Sequence, residues 1–246
     1  MQFVHIRYII STGSTKTIED DRIEMTIKKN LDMVVYEKIK DSLIKGEYLP
    51  GQKIYIDEVA EKYGVSRTPA IQAIKLLANE RIFKILSTGR VVVPDYNNKE
   101  IADICETRVM LERNAIIKLC RVRNLDIVNQ LSVIAQRCDR YHQENEYVKC
   151  CREDLAFHKE LVAAGGNKVI DDVYNMVQGR FLVASYLNIK EGAREGDVAT
   201  NEHVGLVNYL REGIEEKALQ LIEYHIFSIQ KRLLDIWDRR EVEDLK

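Results

Sequence analysis

The chain has 246 residues, of which 46% are hydrophobic and 31% are charged, proportions typical of a folded globular protein that exclude wholesale disorder. Its 37 basic and 39 acidic residues leave a net charge of −2, so a nucleic-acid-binding function would need a local concentration of positive charge. No apolar run is long enough to span a membrane. The first residues, which include His5 and Arg7, lack the features of a signal peptide.

The five cysteines, without a CxxC spacing, do not indicate a disulfide framework or a cysteine-ligated zinc site. Cys150 and Cys151 lie close to Asp154 in the sequence. Two adjacent cysteines cannot easily reach one site, so both are interpreted as packing residues. This cysteine usage favours a reducing compartment, and a cytoplasmic location is expected.

The distribution of proline divides the chain. All three prolines lie in the first 94 residues, and the proline-free remainder has the apolar periodicity of helices, which predicts a helical bundle over residues 99–246. The polar residues 95–98 are predicted to form a linker, and residues 31–94 a separate domain. Residues 1–30 show no clear periodicity and are interpreted as an N-terminal extension, with a functional arm as the alternative. The predicted fold class is mainly α.

The elements predicted for residues 31–94 follow the order of a winged helix-turn-helix. A first apolar helical face ends at Gly46, and a short second helix ends at Gly64. Ser66 is placed to cap a third helix. A β-hairpin with Gly89 in its turn is predicted to follow that helix. Three helices and a hairpin therefore predict a winged helix-turn-helix.

Polar residues interrupt apolar stripes on three predicted helices of the second domain. Asp154 and His158 have the i, i+4 spacing that places them on one helix face, and His203 and His225 each interrupt the stripe of another helix. A buried aspartate without a partner is unfavourable, and a divalent cation bound by one carboxylate and three imidazoles would compensate for it. The alternative is that each histidine is a hydrogen-bonded core residue.

Two arginines also lie in predicted apolar stripes. Arg108 precedes Glu112 by one helical turn, so a buried ion pair between them is one interpretation. The other interpretation, which also applies to Arg180, is that the guanidinium points into a ligand cavity and binds a carboxylate bidentately.

Several motifs resemble the GntR family of bacterial transcription regulators. The string Gly64-Val-Ser-Arg-Thr-Pro69, with a predicted wing behind it, is similar to the family's DNA-binding domain. The rest of the chain is similar to the all-helical FCD effector domain of the FadR subgroup. The marks of this second resemblance are Glu106-Thr-Arg108, Leu111-Glu112, Asp154, Phe157-His158, Gly166-Asn167, Glu202-His203 and His225-Ile226.

The resemblance implies a homodimeric regulator that binds a palindromic site on double-stranded DNA and responds to a small carboxylate effector. It implies that the aspartate and the three histidines hold a divalent metal ion, with zinc expected and nickel or manganese as alternatives. It also implies that Arg108 binds the effector, and Arg180 is a further candidate for this role. The DNA-contacting positions are expected to be Ser66, Arg67, Thr68, Ile71, Gln72, Lys75, Gly89 and Arg90.

The chain departs from the family pattern at two positions. Members commonly have arginine where this chain has Asp57 and Ile71, and both arginines usually help to bind DNA. Weaker and less salt-sensitive DNA binding is therefore expected. An isoleucine at position 71 could instead contact a thymine methyl group in the major groove.

Two other functions fit the same residues. One aspartate and three histidines could hold a hydrolytic zinc ion with an open coordination position, although no persuasive general base is evident and the winged helix would be unexplained. The second alternative is a regulator that has lost its effector response and uses the metal only structurally.

Overall fold

The computed structural model describes residues 18–185 and 200–244, with side chains described over residues 31–185 and 201–235. Residues 1–17 of the predicted N-terminal extension lie outside the described part of the chain. The predicted fold class, mainly α with a winged helix-turn-helix ahead of a helical bundle, is confirmed. In chain order the elements are α1 (Ile18–Ile44), β1 (Lys53–Ile54), α2 (Ile56–Tyr63), α3 (Arg67–Asn79), β2 (Lys84–Ile85), β3 (Val91–Val92), α4 (Asn98–Val122), α5 (Leu125–Gln143), α6 (Tyr147–Ala163), α7 (Lys168–Ala184), α8 (Thr200–Glu212) and α9 (Glu215–Asp244).

The first helix is longer than its apolar pattern predicts. α1 begins at Ile18, well before Leu31, where the apolar periodicity becomes clear. Most residues of the earlier segment are charged, and glutamate, arginine and lysine have high helix propensity. A helix therefore forms there without an apolar stripe. Beyond Leu31 most of the predicted inner face is present, because Val35, Ile39, Leu43 and Ile44 are buried, whereas Val34, predicted on the same face, is 45% exposed.

The helix-turn-helix is formed by α2 and α3, as predicted. α2 ends at Gly64, whose φ of 66° lies in the left-handed region that glycine adopts without strain. Ser66 has the extended backbone of an N-cap residue, although its side chain makes no cap hydrogen bond. The buried face of α3 packs into the core of this domain and consists of Pro69, Ala70, Ala73, Ile74 and Leu77.

A three-stranded antiparallel sheet in the order β1-β3-β2 forms the wing. In the central strand, Val92 is paired with Lys53 of β1 and with Lys84 of β2. The predicted hairpin is present, but its first strand, expected over residues 81–86, is limited to Lys84–Ile85. The backbone N–H groups of Ile82 and Phe83 instead donate hydrogen bonds to the carbonyl oxygen of Leu77 at the end of α3. The sequence does not predict β1, since two residues are too few to show an alternating pattern.

Helices α4–α9 form the predicted bundle. At the start of α4 the Asn97 side chain accepts a hydrogen bond from the backbone N–H of Glu100 at 2.9 Å, and the Glu100 carboxylate accepts one from the backbone N–H of Asn97 at 3.0 Å. This capping box lies at the end of the predicted linker and starts the helix. The buried residues shared by the bundle helices include Ile101, Leu131, Leu161, Leu206 and Ile222. No helix in the described ranges has the length and apolarity needed to cross a membrane.

The cores of the two domains meet at α7. Phe181 of this helix packs in the bundle core, whereas Leu182 and Val183 pack in the core of the winged domain. A second connection comes from α6, where Arg152 Nε donates a hydrogen bond to Asp41 of α1 at 2.7 Å. The two domains are therefore held together by apolar packing and by an ion pair.

Gly179 of α7 is packed so tightly against the winged domain that an added Cβ would lie 1.8 Å from the carbonyl oxygen of Glu80. We expect Gly179→Ala to lower thermal stability, because this backbone oxygen cannot yield without separating the domains. Overpacking of this kind costs about 1–3 kcal/mol, which corresponds to a melting temperature lower by about 2–12 °C. The matched control is Gly205→Ala in α8, where the new Cβ would meet the flexible end of Leu221 at 3.2 Å. Equal melting temperatures for the two variants would contradict the expectation.

Candidate metal centre and DNA-binding face

Four predicted residues from three helices come together inside the bundle. α6 contributes Asp154 and His158, α8 contributes His203 and α9 contributes His225, and one ligand atom from each lies within 4.8 Å of the others. The Nε2 atom of His158 is 3.0 Å from Nε2 of His225 and 3.2 Å from Nε2 of His203. Asp154 Oδ1 is 3.4 Å from His203 Nε2. The three imidazoles are buried and the aspartate is half-buried, so we name these four residues the histidine cluster.

Two carboxylates orient two of the histidines. Glu112 of α4 accepts a hydrogen bond from Nδ1–H of His158, and Glu202 of α8 accepts one from Nδ1–H of His225, both at 2.7 Å. With the proton on Nδ1, each Nε2 carries the lone pair that binds metal ions. These lone pairs converge and repel one another unless a cation lies among them, so the residues fit a divalent metal ion. Nδ1 of His203 is buried and has no hydrogen-bond partner among the described residues.

The surroundings favour neutral imidazoles. Burial lowers the pKa of His203 well below its ordinary value, and the neighbouring His225 and His158 lower it further. Burial also lowers the pKa of His225, although its hydrogen bond to Glu202 opposes the shift. Because the neutral imidazole is the form that ligates a metal, these pKa shifts are consistent with a metal site.

A buried polar network lies next to the histidine cluster. Arg108 Nε donates a hydrogen bond to Glu112 Oε1 at 3.1 Å, and the Tyr174 hydroxyl donates one to the same oxygen at 2.8 Å. Burial raises the pKa of Glu112, but its interactions with His158 and Arg108 and the hydrogen bond from Tyr174 outweigh burial and lower the pKa to about 2. The Arg108 guanidinium is stacked 4.0 Å from the centroid of the Phe181 ring.

Arg108 fits both interpretations of its sequence position. It forms the predicted ion pair with Glu112 through Nε. Its Nη1 atom, however, is buried and makes no hydrogen bond to any residue that the structure describes. A buried donor without an acceptor is unfavourable by about 1–3 kcal/mol, so this guanidinium is suited to binding an additional anionic group.

The structure does not bring Arg180 to the histidine cluster. Phe181, the next residue of α7, stacks on Arg108, and successive helical residues are rotated by about 100°. Arg180 is therefore directed outward, where it is exposed and lines a surface groove with Tyr96. The stripe that suggested its burial includes Val173, which is itself 36% exposed.

The predicted DNA-contacting residues of α3 and the wing are exposed, with one exception. Ile71 is half-buried rather than exposed, since it follows the fully buried Ala70 at the edge of the inner face. In the wing turn, Gly89 has a φ of 79°, which favours glycine at this position. The exposed members of the set are Ser66, Arg67, Thr68, Gln72, Lys75, Gly89 and Arg90.

Asp57 contacts one of these residues. Nη1 of Arg67 lies 3.0 Å from Oδ1 of Asp57, and both side chains are exposed, at 66% and 70% respectively. The carboxylate of Asp57 thus pairs with a predicted DNA-binding arginine. An exposed ion pair is worth about 0–1 kcal/mol, so a DNA phosphate can compete with Asp57 for this guanidinium.

Two family models match the two domains. The model for bacterial regulatory proteins of the gntR family matches residues 31–93, and the FCD domain model matches residues 103–228. The chain belongs to the GntR family of regulators with an FCD domain. It is a transcriptional regulator in which a DNA-binding domain precedes an all-helical effector domain.

Several known proteins are similar to this GntR regulator over most of its length. The gluconate operon transcriptional repressor of Bacillus subtilis (strain 168) is 22% identical over 211 residues, which cover 83% of this chain and 85% of the repressor. Among solved structures, E. coli McbR/YncC superimposes with a TM-score of 0.71 at 15% identity, covering 84% of this chain and 98% of that chain. A GntR transcriptional regulator from Rhodococcus sp. RHA1 superimposes with a TM-score of 0.68 at 17% identity, and the match covers 83% of this chain and 97% of that chain. These two structures support the shared fold.

The partners of the histidine cluster are harder to predict in this GntR regulator than the cluster itself. Glu112 and Glu202 belong to the family resemblance, but the sequence does not indicate that they orient His158 and His225. Tyr174 is not predicted at all. The one signal for it is a tyrosine within an apolar stripe, because a buried tyrosine hydroxyl needs a hydrogen-bond partner.

Proposed function

We propose that this regulator binds a divalent metal ion at Asp154, His158, His203 and His225. The observation that carries the proposal is the convergence of three buried Nε2 atoms, two of them on imidazoles whose Nδ1–H groups are held by carboxylates. Zinc is the first candidate, and nickel and manganese accept the same donors. When bound, the ion supplies positive charge and a coordination position for an acidic ligand.

The same proposal includes a small organic acid as the effector, bound by the metal ion and by Arg108. The buried Nη1 group of Arg108 lacks an acceptor among the described residues, and a carboxylate would provide one through a charge-assisted hydrogen bond. The gluconate operon repressor that resembles this chain suggests a sugar acid, so gluconate is the first compound to test. Arg180, exposed in a separate surface groove, is proposed to have no part in this binding.

Two helices are suited to carry the effect of binding to the DNA-binding domain. α6 holds Asp154 and His158, and it is also tied to α1 by the ion pair between Arg152 and Asp41. α7 contacts the polar network through Tyr174 and packs on the winged domain around Gly179. We propose that acid binding shifts the population of packing states in the bundle and thereby the spacing of the two α3 helices in a homodimer on a palindromic operator.

The test of this function combines metal analysis with DNA binding. We expect about one divalent ion per chain by elemental analysis, and we expect gluconate or another carboxylic acid to change operator affinity. If the protein contains metal but no acid changes its affinity for the operator, the metal has a structural role only. Metal-dependent hydrolysis of ester or phosphoester substrates would favour the alternative of an enzyme. Protein purified without metal, and unable to take it up, would contradict the proposal.

For the DNA-binding face, we expect Asp57→Ala to strengthen operator binding and to steepen its salt dependence. Removal of the carboxylate frees the guanidinium of Arg67 for a phosphate. One additional phosphate contact per chain, doubled in a dimer, steepens the slope of log affinity against log salt concentration by about 1.8. Fluorescence anisotropy titrations at several salt concentrations would measure this slope.

The matched control is Glu58→Ala, which removes the same charge from the neighbouring exposed position of α2. If the slope steepened equally in both variants, net charge rather than the pairing of Asp57 with Arg67 would explain the effect.

A further inference from the structure

A pair of buried thiols connects α5 and α6 beside the histidine cluster. The sulfur of Cys138 on α5 lies 3.5 Å from the sulfur of Cys150 on α6 and 3.4 Å from its carbonyl oxygen. Both side chains are buried, with 0% and 2% exposure. Cys150 and Cys151 are adjacent in the sequence, but in the structure the sulfur of Cys150 contacts Cys138 of the preceding helix.

The two sulfurs of this pair are in contact but not bonded. An S–S bond is about 2.05 Å long, so the two sulfurs need to approach by about 1.5 Å. The surrounding helices are already held together, because Arg137 next to Cys138 forms an ion pair with Glu153 of α6 at 2.8 Å. Side-chain rotation, together with a small shift of the first turn of α6, can therefore bring the sulfurs into bonding distance without separating α5 from α6.

We propose that Cys138 and Cys150 are a redox-sensitive modification site that forms a reversible disulfide on exposure to hydrogen peroxide. One thiol loses its proton and the thiolate attacks a peroxide oxygen; the O–O bond breaks, a sulfenic acid forms, and the released hydroxide takes up the proton to become water. The second sulfur attacks the sulfenic sulfur and releases water as the S–S bond forms. In total, two thiols and one peroxide give one disulfide and two waters, with two electrons passing from sulfur to oxygen.

Because Cys150 lies near the histidine cluster, a disulfide at this position is expected to affect the cluster. Cys150 and Asp154 are four residues apart on α6 and share the inner face of the helix. The helix begins just before Cys150, and Glu146, its N-cap residue, makes no side-chain cap hydrogen bond. A crosslink to α5 would therefore displace a weakly held first turn, one turn away from a cluster residue. This part of the inference rests on the proposed metal site, and we expect oxidation to weaken metal binding.

The first experiment counts thiols and does not depend on the metal. Reduced full-length protein has five free cysteines, and after peroxide treatment we expect three, with all five restored by dithiothreitol. Peptide mapping should identify the crosslink between Cys138 and Cys150. Cys151→Ala should still lose two thiols, whereas Cys138→Ala should lose none to a disulfide. Retention of all five thiols, or a crosslink between Cys150 and Cys151, would overturn the proposal.

The second experiment measures the effect on the cluster. Zinc affinity, obtained by competition with a chromogenic chelator, should be about tenfold lower in oxidised than in reduced protein, comparable with the loss of an outer contact to a ligand. The affinity of Cys138→Ala should not respond to peroxide. If the disulfide forms and zinc affinity does not change, the coupling between the two sites is refuted. If neither redox state binds zinc, the proposed metal site fails while the thiol count still decides the modification site.

Discussion

Replacement of His203 by alanine is expected to abolish metal binding and to lower the melting temperature of the metal-loaded protein by about 5–10 °C. A metal ion present at about a hundred times its Kd adds about 2.7 kcal/mol to the free energy of unfolding. Loss of this contribution corresponds to the stated range of melting temperature. His203 is buried, and its Nε2 atom lies 3.2 Å from Nε2 of His158. Elemental analysis and thermal unfolding, each with and without a chelator, would measure the two effects.

The chelator separates the loss of metal from the cavity that the substitution leaves. A chelator should lower the melting temperature of the wild-type protein and leave that of His203→Ala unchanged. His142→Ala, which removes a half-buried histidine of α5 outside the cluster, should retain both the metal and the response to chelator. Full metal occupancy in His203→Ala would show that the cluster does not bind the ion as proposed.

Replacement of Arg108 by alanine is expected to weaken binding of the acidic effector by about tenfold or more, while the metal content stays the same. A hydrogen bond to a charged group contributes about 1.5–3 kcal/mol, and Arg108 offers a buried Nη1 donor beside the histidine cluster. Isothermal titration with gluconate, or with the acid that proves active in DNA-binding assays, would measure the loss.

Two further variants separate ligand binding from a structural role of Arg108. Arg108→Lys keeps the positive charge beside Glu112 but lacks the bidentate geometry, so we expect it to fold normally and still bind the acid weakly. Arg180→Ala, at an exposed position of α7, should bind the acid as the wild-type protein does. Unchanged acid affinity in Arg108→Ala would leave Arg108 with the ion pair to Glu112 as its sole role.

The elements that the sequence predicts well depend on local signals. Gly64 and Gly89 both adopt the positive φ that their turn positions require. The apolar spacing on α3 places Ala70, Ala73 and Leu77 on the buried face. The histidine cluster is also predictable, because each histidine interrupts an apolar stripe and must therefore point into the bundle.

Contacts between residues far apart in the sequence could not be predicted in this way. His158 and Glu112 are 46 positions apart and meet only because α4 and α6 pack together. The pairing of Cys138 with Cys150 likewise depends on the register between two helices. Arg180 is predicted to be buried because it lies in an apolar stripe, but it is exposed. The stripe includes the partly exposed Val173 and therefore does not determine which neighbouring residue is buried.

The position of α7 limits how the two halves of this regulator can be exchanged with those of its relatives. A hybrid protein joined within the linker at residues 95–98 would bring in a foreign helix in place of α7. The winged domain would then lose Leu182 and Val183 from its core, and any residue larger than glycine at position 179 would collide with the backbone at Glu80. Hybrid regulators and isolated DNA-binding domains of this type therefore need the matching face of α7, and a recombination point chosen from domain boundaries alone would leave apolar surface exposed.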